Sequence, residues 1–386
     1  MTARRWALRL WPLIAAIATL VALPAGLSAT EQGRSAIVAT AFLPDLLFSL
    51  PVRPVTWVTP EPVREHVAIE YDGGRVIEAD LYRPPSGTAL GAVVFSMGAP
   101  PLDLDDPRLV KLSEDAARAG FVMLVPFSER LDQELILPEE VDALVGAFRY
   151  LQSQPYIAPD RVGYIGVSVG ASLALLAAAD PRIRDDVDFV VAFGGYYDAL
   201  DTFVALASRR IEYNGLDEAW TPRWHSIKVM ARQFIYELDD PRDRDILTTA
   251  FVQRKPVSQA QIDALTPTGR AVYDFLTSTG DPERARALIG ELPPDAVARL
   301  RELSPSRVAA DLRAEMFIVH DRGDEFIPYV ESRRLRDALQ GRVRLHYDEV
   351  RFFEHVEPRL NQRSDVLLMD SVRLIFRLYQ LLLRLT

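Results

Sequence analysis

The hydrophobic positions of this chain predict alternating strands and helices from residue 63 onward. Apolar runs of strand length lie at residues 92–96, 121–125, 162–167, 189–193 and 316–320. Strands that are apolar on both faces are typical of a parallel sheet buried between two layers of helices. The pattern therefore predicts an α/β fold with a mostly parallel central sheet.

Segments with apolar residues at helical spacing separate these runs. They lie at residues 109–119, 138–152, 171–179, 330–339 and 364–386. Two further strands, at residues 66–71 and 76–82, flank an Asp-Gly-Gly turn and predict a hairpin. A last strand is predicted at residues 343–347. Helices thus follow most strands, as parallel strand pairs require.

The alternation stops between residues 199 and 306, a polar part rich in Arg and Asp. Its helical stretches are residues 224–237, 259–278 and 282–291. Long excursions from a compact domain are often functional. We therefore predict a helical cap insertion at residues 199–306, which splits one α/β core into residues 63–198 and 307–386. The alternative is an excursion with no role at the site.

The first 62 residues carry a different pattern. Residues 1–9 hold three arginines and no acid, and residues 10–27 are apolar apart from Thr19. The length of this run lies between that of a signal-peptide core and that of a membrane-spanning helix. Residues 1–29 are predicted to be a cleaved signal peptide or an uncleaved membrane anchor, and residues 30–62 a linker with a short apolar segment. Either prediction exports the rest, as a membrane-anchored extracytoplasmic domain or as a secreted or periplasmic protein.

Composition narrows the classes of function. Hydrophobic residues make up 49% of the 386 residues and charged residues 25%, which excludes a disordered chain. The formal net charge of −10 argues against nucleic-acid partners, because an acidic surface repels phosphate backbones. The chain has no Cys, so disulfides, thiolate metal sites and a Cys nucleophile are excluded.

The sharpest motif of the chain is Gly166, Val167, Ser168, Val169, Gly170. This G-x-S-x-G pattern lies between a predicted strand and a predicted helix, which is the context of a nucleophile elbow. A sharp turn there forces the serine into a strained conformation and projects its hydroxyl beyond the sheet. The N-terminus of the following helix stabilises negative charge. We expect Ser168 to be a nucleophile; a structural serine is the alternative.

A serine nucleophile needs a general base that a third group holds in place. Of the histidines downstream, His225 lies in the insertion, His320 ends a strand and His346 lies within one. His355 lies in a loop between the last strand and the last helix. A loop at the carboxyl end of a strand can reach the site, so His355 is the predicted base. A loop histidine without a catalytic role is the alternative.

The acid is expected in the turn after the strand at residues 316–320. Asp324 is the predicted acid, and Asp321 and Glu325 in the same turn are the nearby alternatives. Asp198 follows another predicted strand and is the fallback acid. A helix N-cap is the simpler role for Asp198, since aspartate is favoured at that position.

These motifs resemble those of the α/β-hydrolase superfamily, near its dienelactone-hydrolase and prolyl-oligopeptidase-like branch. The resemblance covers about residues 63–198 and 303–386. It rests on the G-x-S-x-G motif, on the histidine loop and on the turn after the strand at 316–320. In that turn His320, Asp324 and Pro328 keep the spacing of the family.

The resemblance implies an α/β-hydrolase fold with a Ser-His-Asp triad. Ser168 takes the place of the nucleophile, Asp324 that of the orienting acid and His355 that of the base. One departure is Asp321, which stands where the family usually has glycine.

The same chemistry needs backbone N–H groups that bind the oxyanion. One is predicted to come from Val169, directly after the nucleophile. The other is expected in the loop after the strand at residues 92–96, where the family usually has His-Gly and this chain has Met97 and Gly98. Ala99 is the predicted second donor and Met97 the lesser candidate, because the two prolines after Ala99 carry no N–H.

The chain lacks the nucleotide-binding and zinc-protease motifs, so neither a cofactor nor a metal is expected. The candidate residues predict a serine hydrolase that cleaves an ester, thioester or related acyl bond of a small-molecule substrate through an acyl-enzyme. A carboxylic ester hydrolase is the first choice. A serine peptidase on the same triad and a non-catalytic binding module on this scaffold are the alternatives. The N-terminal segment is the predicted contact with a membrane.

Overall fold

The computed structural model of the chain describes residue 56 and residues 59–351, 353–355, 357–358 and 364–385. The predicted signal peptide or anchor and most of the predicted linker lie outside these residues, so both stay predictions. Within the described ranges, none of the helices combines the length and apolar character that a bilayer crossing requires.

The strands of the described residues form one large sheet and two small hairpins. They are β1 Val63–Tyr71, β2 Arg75–Arg83, β3 Leu90–Ser96, β4 Val122–Phe127, β5 Ile157–Val167, β6 Phe189–Phe193, β7 Arg210–Tyr213, β8 Leu216–Ala219, β9 Glu315–Asp321, β10 Leu345–Val350, β11 Phe353–Glu354 and β12 Glu357–Pro358. The order across the large sheet is β1-β2-β4-β3-β5-β6-β9-β10. Strand β2 is antiparallel to both its neighbours, and the pairs from β4 to β10 are parallel.

The α-helices surround this sheet. They are α1 Pro107–Arg118, α2 Glu129–Asp132, α3 Glu139–Gln152, α4 Val169–Ala178, α5 Ala199–Ser208, α6 Trp224–Ile235, α7 Pro241–Leu247, α8 Gln259–Asp263, α9 Pro267–Leu276, α10 Pro282–Leu288, α11 Pro294–Glu302, α12 Val330–Leu339 and α13 Ser364–Leu385. Two apolar clusters join them to the sheet, one containing α3 and α4 and the other containing α1 and α13.

The two clusters lie on opposite faces of the sheet. Along β3, Ala92 and Val94 belong to the first cluster, whereas Val93 and Phe95 belong to the second. Successive side chains of a strand point to opposite faces, so helices cover both sides. This confirms the predicted mostly parallel sheet between two helical layers. A reversed second strand in this order is the arrangement of the α/β-hydrolase fold.

The part between β6 and β9 differs in detail from the helical insertion that was predicted. It contains the hairpin β7–β8, which turns at Asn214 and Gly215 with positive φ angles of 47° and 83°. Asn-Gly favours this two-residue turn, so the signal was present in the sequence but was not used. The predicted helix at residues 259–278 is two helices, α8 and α9. The break is at Thr266, whose hydroxyl accepts from the N–H of Gly269 and caps α9 before Pro267.

The helices of residues 199–306 contribute aromatic side chains to the same apolar core that contains α3 and α4. The ring of Phe234 on α6 lies edge-on to that of Phe203 at 5.7 Å and to that of Phe275 at 5.4 Å. Phe234 is fully buried, whereas Tyr236 is 47% exposed. Edge-to-face aromatic pairs of this kind stabilise packing beyond their buried area. Phe234 therefore packs in this core.

Glu140, in the first turn of α3, makes folding stability depend on pH. Burial raises the pKa of its carboxyl from 4.5 to about 7, although a 2.7 Å hydrogen bond from Ser128 acts in the opposite direction. The folded state then holds a proton that the unfolded state has lost, so this group lowers stability as pH rises from 4.5 to 7. We expect Glu140→Gln to raise the free energy of unfolding at pH 8 by about 2–3 kcal/mol. At pH 5 the expected gain is less than about 1 kcal/mol.

Urea unfolding at both pH values measures this difference. Glu139→Gln is the control, because Glu139 lies in the same turn but is exposed. An equal gain for Glu140→Gln at pH 5 and pH 8 would contradict the assignment.

Candidate active site

Ser168 lies at the tight turn between β5 and α4. Its φ and ψ angles are 56° and −134°, a combination that residues with side chains rarely adopt. The turn is held by the Ser168 N–H, which donates to the carbonyl oxygen of Phe193 at the end of β6 (2.8 Å). A Cβ atom at Gly170 would collide with the backbone carbonyl of Met97, so only glycine fits there. The local geometry is that of a strained elbow, as the motif predicts.

The loop after β3 passes directly beside Ser168. A Cβ atom built on Gly98 would lie 3.0 Å from Cβ and 3.3 Å from Oγ of Ser168. Ala99 is the next residue of this loop, and Val169 is the first residue of α4. The side chain of Met97 is buried in the second apolar cluster. Both predicted oxyanion donors are thus in segments that adjoin the serine, and their role stays a prediction.

Asp324 and His355 form a buried pair. His355 Nδ1 lies 2.6 Å from Asp324 Oδ2, and the His355 ring stacks on Phe326 with 4.8 Å between centroids. His355 itself has a positive φ angle of 61° in the turn between β11 and β12. A Cβ atom on Gly194 would lie 3.2 Å from His355 Cε1 and 3.5 Å from Asp324 Oδ2. The pair therefore lies against the end of β6.

The Asp324 carboxylate accepts hydrogen bonds on both oxygens. Oδ1 receives the backbone N–H groups of Phe326 (2.7 Å) and Ile327 (3.1 Å). Oδ2 lies 2.6 Å from His355 Nδ1 and 3.2 Å from His320 Nε2. Burial by itself raises the pKa of this carboxyl, but the two histidines outweigh burial and hold the pKa well below its usual range. Asp324 is therefore ionised at neutral pH, and His355 donates to it through Nδ1.

The other ring nitrogen of His355, Nε2, has a different environment from Nδ1. Nε2 is buried and has no hydrogen-bond partner among the described residues. Because Nδ1 carries the proton, Nε2 has the free lone pair that a general base needs. The Ser168 N–H donates to Phe193, and a Cβ atom on the adjacent Gly194 would lie 3.2 Å from the His355 ring, so the serine and the pair both adjoin the carboxyl end of β6.

The alternative acids lie elsewhere or are used differently. Asp198 Oδ1 accepts from the N–H groups of Leu200 and Asp201 at the start of α5, and its Oδ2 accepts from Ser306 Oγ (2.7 Å). It is the N-cap of α5. Asp321 Oδ1 accepts from the N–H of Gly323 within the turn. Among the described residues, the carboxylate in hydrogen-bond contact with His355 is that of Asp324.

His320 was predicted at the end of a strand and in the family spacing with Asp324, but a contact between the two side chains was not predicted. It is fully buried, with Nε2 near both Asp324 Oδ2 (3.2 Å) and the carbonyl oxygen of Ile327 (3.1 Å). Both partners accept, so Nε2 carries the proton, and Nδ1 lies 2.6 Å from the hydroxyl of Ser332. Nε2 of His320 therefore donates toward the same carboxylate oxygen, Oδ2, as Nδ1 of His355. The four-residue spacing between His320 and Asp324 was the available signal.

The part between β6 and β9 reaches the site at three points. Trp220 Nε1 donates to the carbonyl oxygen of Asp324 (2.8 Å), and the N–H of Arg223 donates to that of Glu325 (2.6 Å). His225 Nε2 lies 2.9 Å from the carbonyl oxygen of Ala99. These contacts attach the start of α6 to the turn that contains Asp324 and to the loop beside Ser168.

Among the described ranges, no group of three or more His, Asp or Glu side chains is arranged to hold a metal ion.

Gly98 offers a direct test of the packing around the serine. We expect Gly98→Ala to lower ester turnover by roughly 10- to 100-fold, because its Cβ would push on Ser168 Cβ at 3.0 Å and misplace the hydroxyl. Steady-state kinetics with a melting curve measures this effect. Gly290→Ala is the matched control, since no atom lies within 4 Å of a Cβ there. Equal turnover in both variants would place the reacting serine elsewhere.

Comparison with known proteins adds short matches. No family model matches the chain. It is 36% identical over 118 residues to a Mycobacterium tuberculosis (strain H37Rv) protein provisionally named a phosphoribosyl transferase, covering 28% of this chain and 25% of that protein. It is 44% identical over 61 residues to a Bradyrhizobium protein provisionally named a 2-oxo-3-(5-oxofuran-2-ylidene)propanoate lactonase, covering 16% and 23%. The chain thus spans about a quarter of the length of the curated relatives that it matches.

Solved structures with a similar chain path include peptidases and esterases. An acylaminoacyl peptidase of Pyrococcus horikoshii is 12% identical, with 82% of this chain and 42% of that chain covered and a TM-score of 0.46. Est1E from Butyrivibrio proteoclasticus is 10% identical, with 82% and 98% covered and a TM-score of 0.47. A Pyrobaculum calidifontis esterase is 16% identical, with 95% and 98% covered and a TM-score of 0.45. These TM-scores lie below 0.5, so the fold assignment depends on the strand order and helices of the chain itself.

Proposed function

We propose that this chain is a serine hydrolase that cleaves a carboxylic ester, thioester or related acyl bond. The observation that carries the proposal is the His355–Asp324 pair. Its Nδ1–Oδ2 distance is 2.6 Å, its Nε2 is buried without a partner among the described residues, and both the pair and the strained Ser168 adjoin the carboxyl end of β6. These are the parts that nucleophilic acyl transfer requires.

The first half of the reaction follows from these positions. Ser168 Oγ attacks the acyl carbon while His355 Nε2 removes the hydroxyl proton. The ionised Asp324 accepts the Nδ1–H of His355, which keeps the lone pair on Nε2 and stabilises the charged ring. The negative oxygen of the tetrahedral intermediate is bound by the N–H of Val169, at the N-terminus of α4, and by the N–H of Ala99.

The second half releases the products. His355 gives its proton to the leaving alcohol or thiol, the carbon–oxygen or carbon–sulfur bond breaks, and the acyl group stays on Ser168. A water molecule then loses a proton to His355 Nε2 and attacks the acyl carbon, which frees the acid and restores the serine hydroxyl.

The name of one relative agrees with this chemistry. A lactone is a cyclic ester, and the Bradyrhizobium relative carries the name of a lactonase. The name of the Mycobacterium tuberculosis relative does not point to acyl transfer, but three quarters of that protein lie outside the match.

A fluorophosphonate probe tests the proposal without knowledge of the substrate. The folded chain is expected to be labelled once, and peptide mass spectrometry is expected to place the label on Ser168. A panel of p-nitrophenyl esters of increasing acyl length, a thioester and an aminoacyl p-nitroanilide then ranks the bond types. Absence of labelling, or a label on another residue, would refute the proposal. Faster cleavage of the anilide than of every ester would make the chain a peptidase.

A further inference from the structure

His225 touches the loop beside the serine, although it lies 126 residues from Ala99 along the chain. Its Nε2 is 2.9 Å from the carbonyl oxygen of Ala99. A carbonyl oxygen only accepts, so Nε2 carries a proton and donates it. This hydrogen bond forms with both the neutral and the charged ring, since Nε2 is protonated in each case.

The helix that carries His225 is fixed at this place by a buried glutamate. Glu134 lies between α2 and α3 and is 5% exposed. Lys228 Nζ lies 2.5 Å from its Oε1 and Arg232 Nε 2.8 Å from its Oε2. His225 Nδ1 is 3.7 Å from the same Oε1. Because His225, Lys228 and Arg232 occupy one face of α6, this contact orients the ring toward the loop.

The resemblance to hydrolases places a histidine in this loop at the position of Met97. Here the Met97 side chain is buried in the second apolar cluster. The imidazole that contacts the loop comes instead from α6, through His225.

We propose that His225 is a positioning residue for the oxyanion-binding N–H of Ala99. The carbonyl and the N–H of Ala99 flank one Cα, so a hydrogen bond to the carbonyl restricts rotation of the N–H on the other side. Oxyanion donors act by being held in place before the charge develops. This inference rests on the proposed function, because it needs an oxyanion to form at Ser168.

Two substitutions distinguish the effect of the hydrogen bond from the effect of the size of the ring. His225→Phe keeps a ring of similar size next to Phe326, whose centroid is 6.2 Å away, but removes the donor. His225→Gln keeps an N–H donor near the position of Nε2. Tyr236→Phe is the control at the other end of α6, because Tyr236 is 47% exposed and lies away from the Glu134 cluster.

The measurements are kcat and KM for the best ester of the panel, together with inhibition by a trifluoromethyl ketone, which forms a tetrahedral oxyanion adduct. We expect His225→Phe to lower kcat by roughly 10- to 100-fold while KM stays within about threefold of the wild-type value. Inhibition by the trifluoromethyl ketone is expected to weaken by a factor similar to the loss of kcat. His225→Gln and Tyr236→Phe are expected to stay within about threefold of the wild type.

A melting curve of each variant verifies that it is folded. Wild-type kcat in His225→Phe, or equal losses of kcat in His225→Phe and His225→Gln, would refute the positioning role. The proposed function has its own test, which is fluorophosphonate labelling of Ser168 in the wild-type chain. If that label is absent, both the proposed function and the role of His225 are refuted.

Discussion

Ser168→Ala is expected to lower ester turnover by a factor on the order of 10⁴ or more and to abolish fluorophosphonate labelling. The hydroxyl is the group that forms the acyl-enzyme, and no Cys is present to replace it. Alanine removes one oxygen from a half-buried position, so the turn held by the Ser168 N–H and Phe193 stays intact. Turnover per folded molecule and label incorporation measured by mass spectrometry check the result.

The control for this substitution is Ser172→Ala, one turn further along α4. Ser172 Oγ donates to the carbonyl oxygen of Tyr196 (2.9 Å), so its loss affects packing but not the hydroxyl of the elbow. Labelling is expected to persist in Ser172→Ala. A labelled Ser168→Ala chain would show that another residue is the nucleophile.

Asp324→Asn is expected to lower kcat by roughly 10⁴-fold. Two histidines donate toward Oδ2 and two backbone N–H groups donate to Oδ1, so an amide NH₂ on either side faces donors. The Nδ1–H form of His355 loses its partner, and a proton on Nε2 then blocks the removal of the serine proton. The measurement is kcat across pH 6–9, with a melting curve to verify folding.

Two other acids provide matched comparisons. Asp321→Asn changes a carboxylate in the same turn, and Asp198→Asn changes the N-cap of α5. Both are expected to reduce kcat by less than about tenfold, because their hydrogen bonds go to backbone N–H groups and to Ser306. A larger loss in Asp198→Asn than in Asp324→Asn would make Asp198 the orienting acid.

The local hydrophobic patterns of this chain were sufficient to predict most strands of the large sheet. The bounds predicted for β6 and α12 agree with the structure, and those of β3 and β9 differ by two residues or fewer. Continuous apolar runs and helical periodicity are properties of neighbouring residues, so they are visible without a fold. The hairpin β7–β8 was missed because its strands are four residues each and polar, although its Asn-Gly turn was readable.

The residues of the candidate site were also predictable in part. The elbow at Ser168 was recognisable because a strand, a tight turn and a helix adjoin in sequence. The choice of Asp324 and His355 from the sequence agrees with the pair that the structure brings within 2.6 Å. Their catalytic role stays a prediction until the variants are measured.

Residue order thus dictated the elements, the elbow and the short list of chemical groups. Folding decided which of these groups meet. His320 adds a second donor to the Oδ2 atom of Asp324, and His225 reaches Ala99 across 126 residues. The His225 contact leaves no periodic trace in the sequence, because it depends on how residues 199–306 pack against the loop after β3 rather than on neighbouring residues.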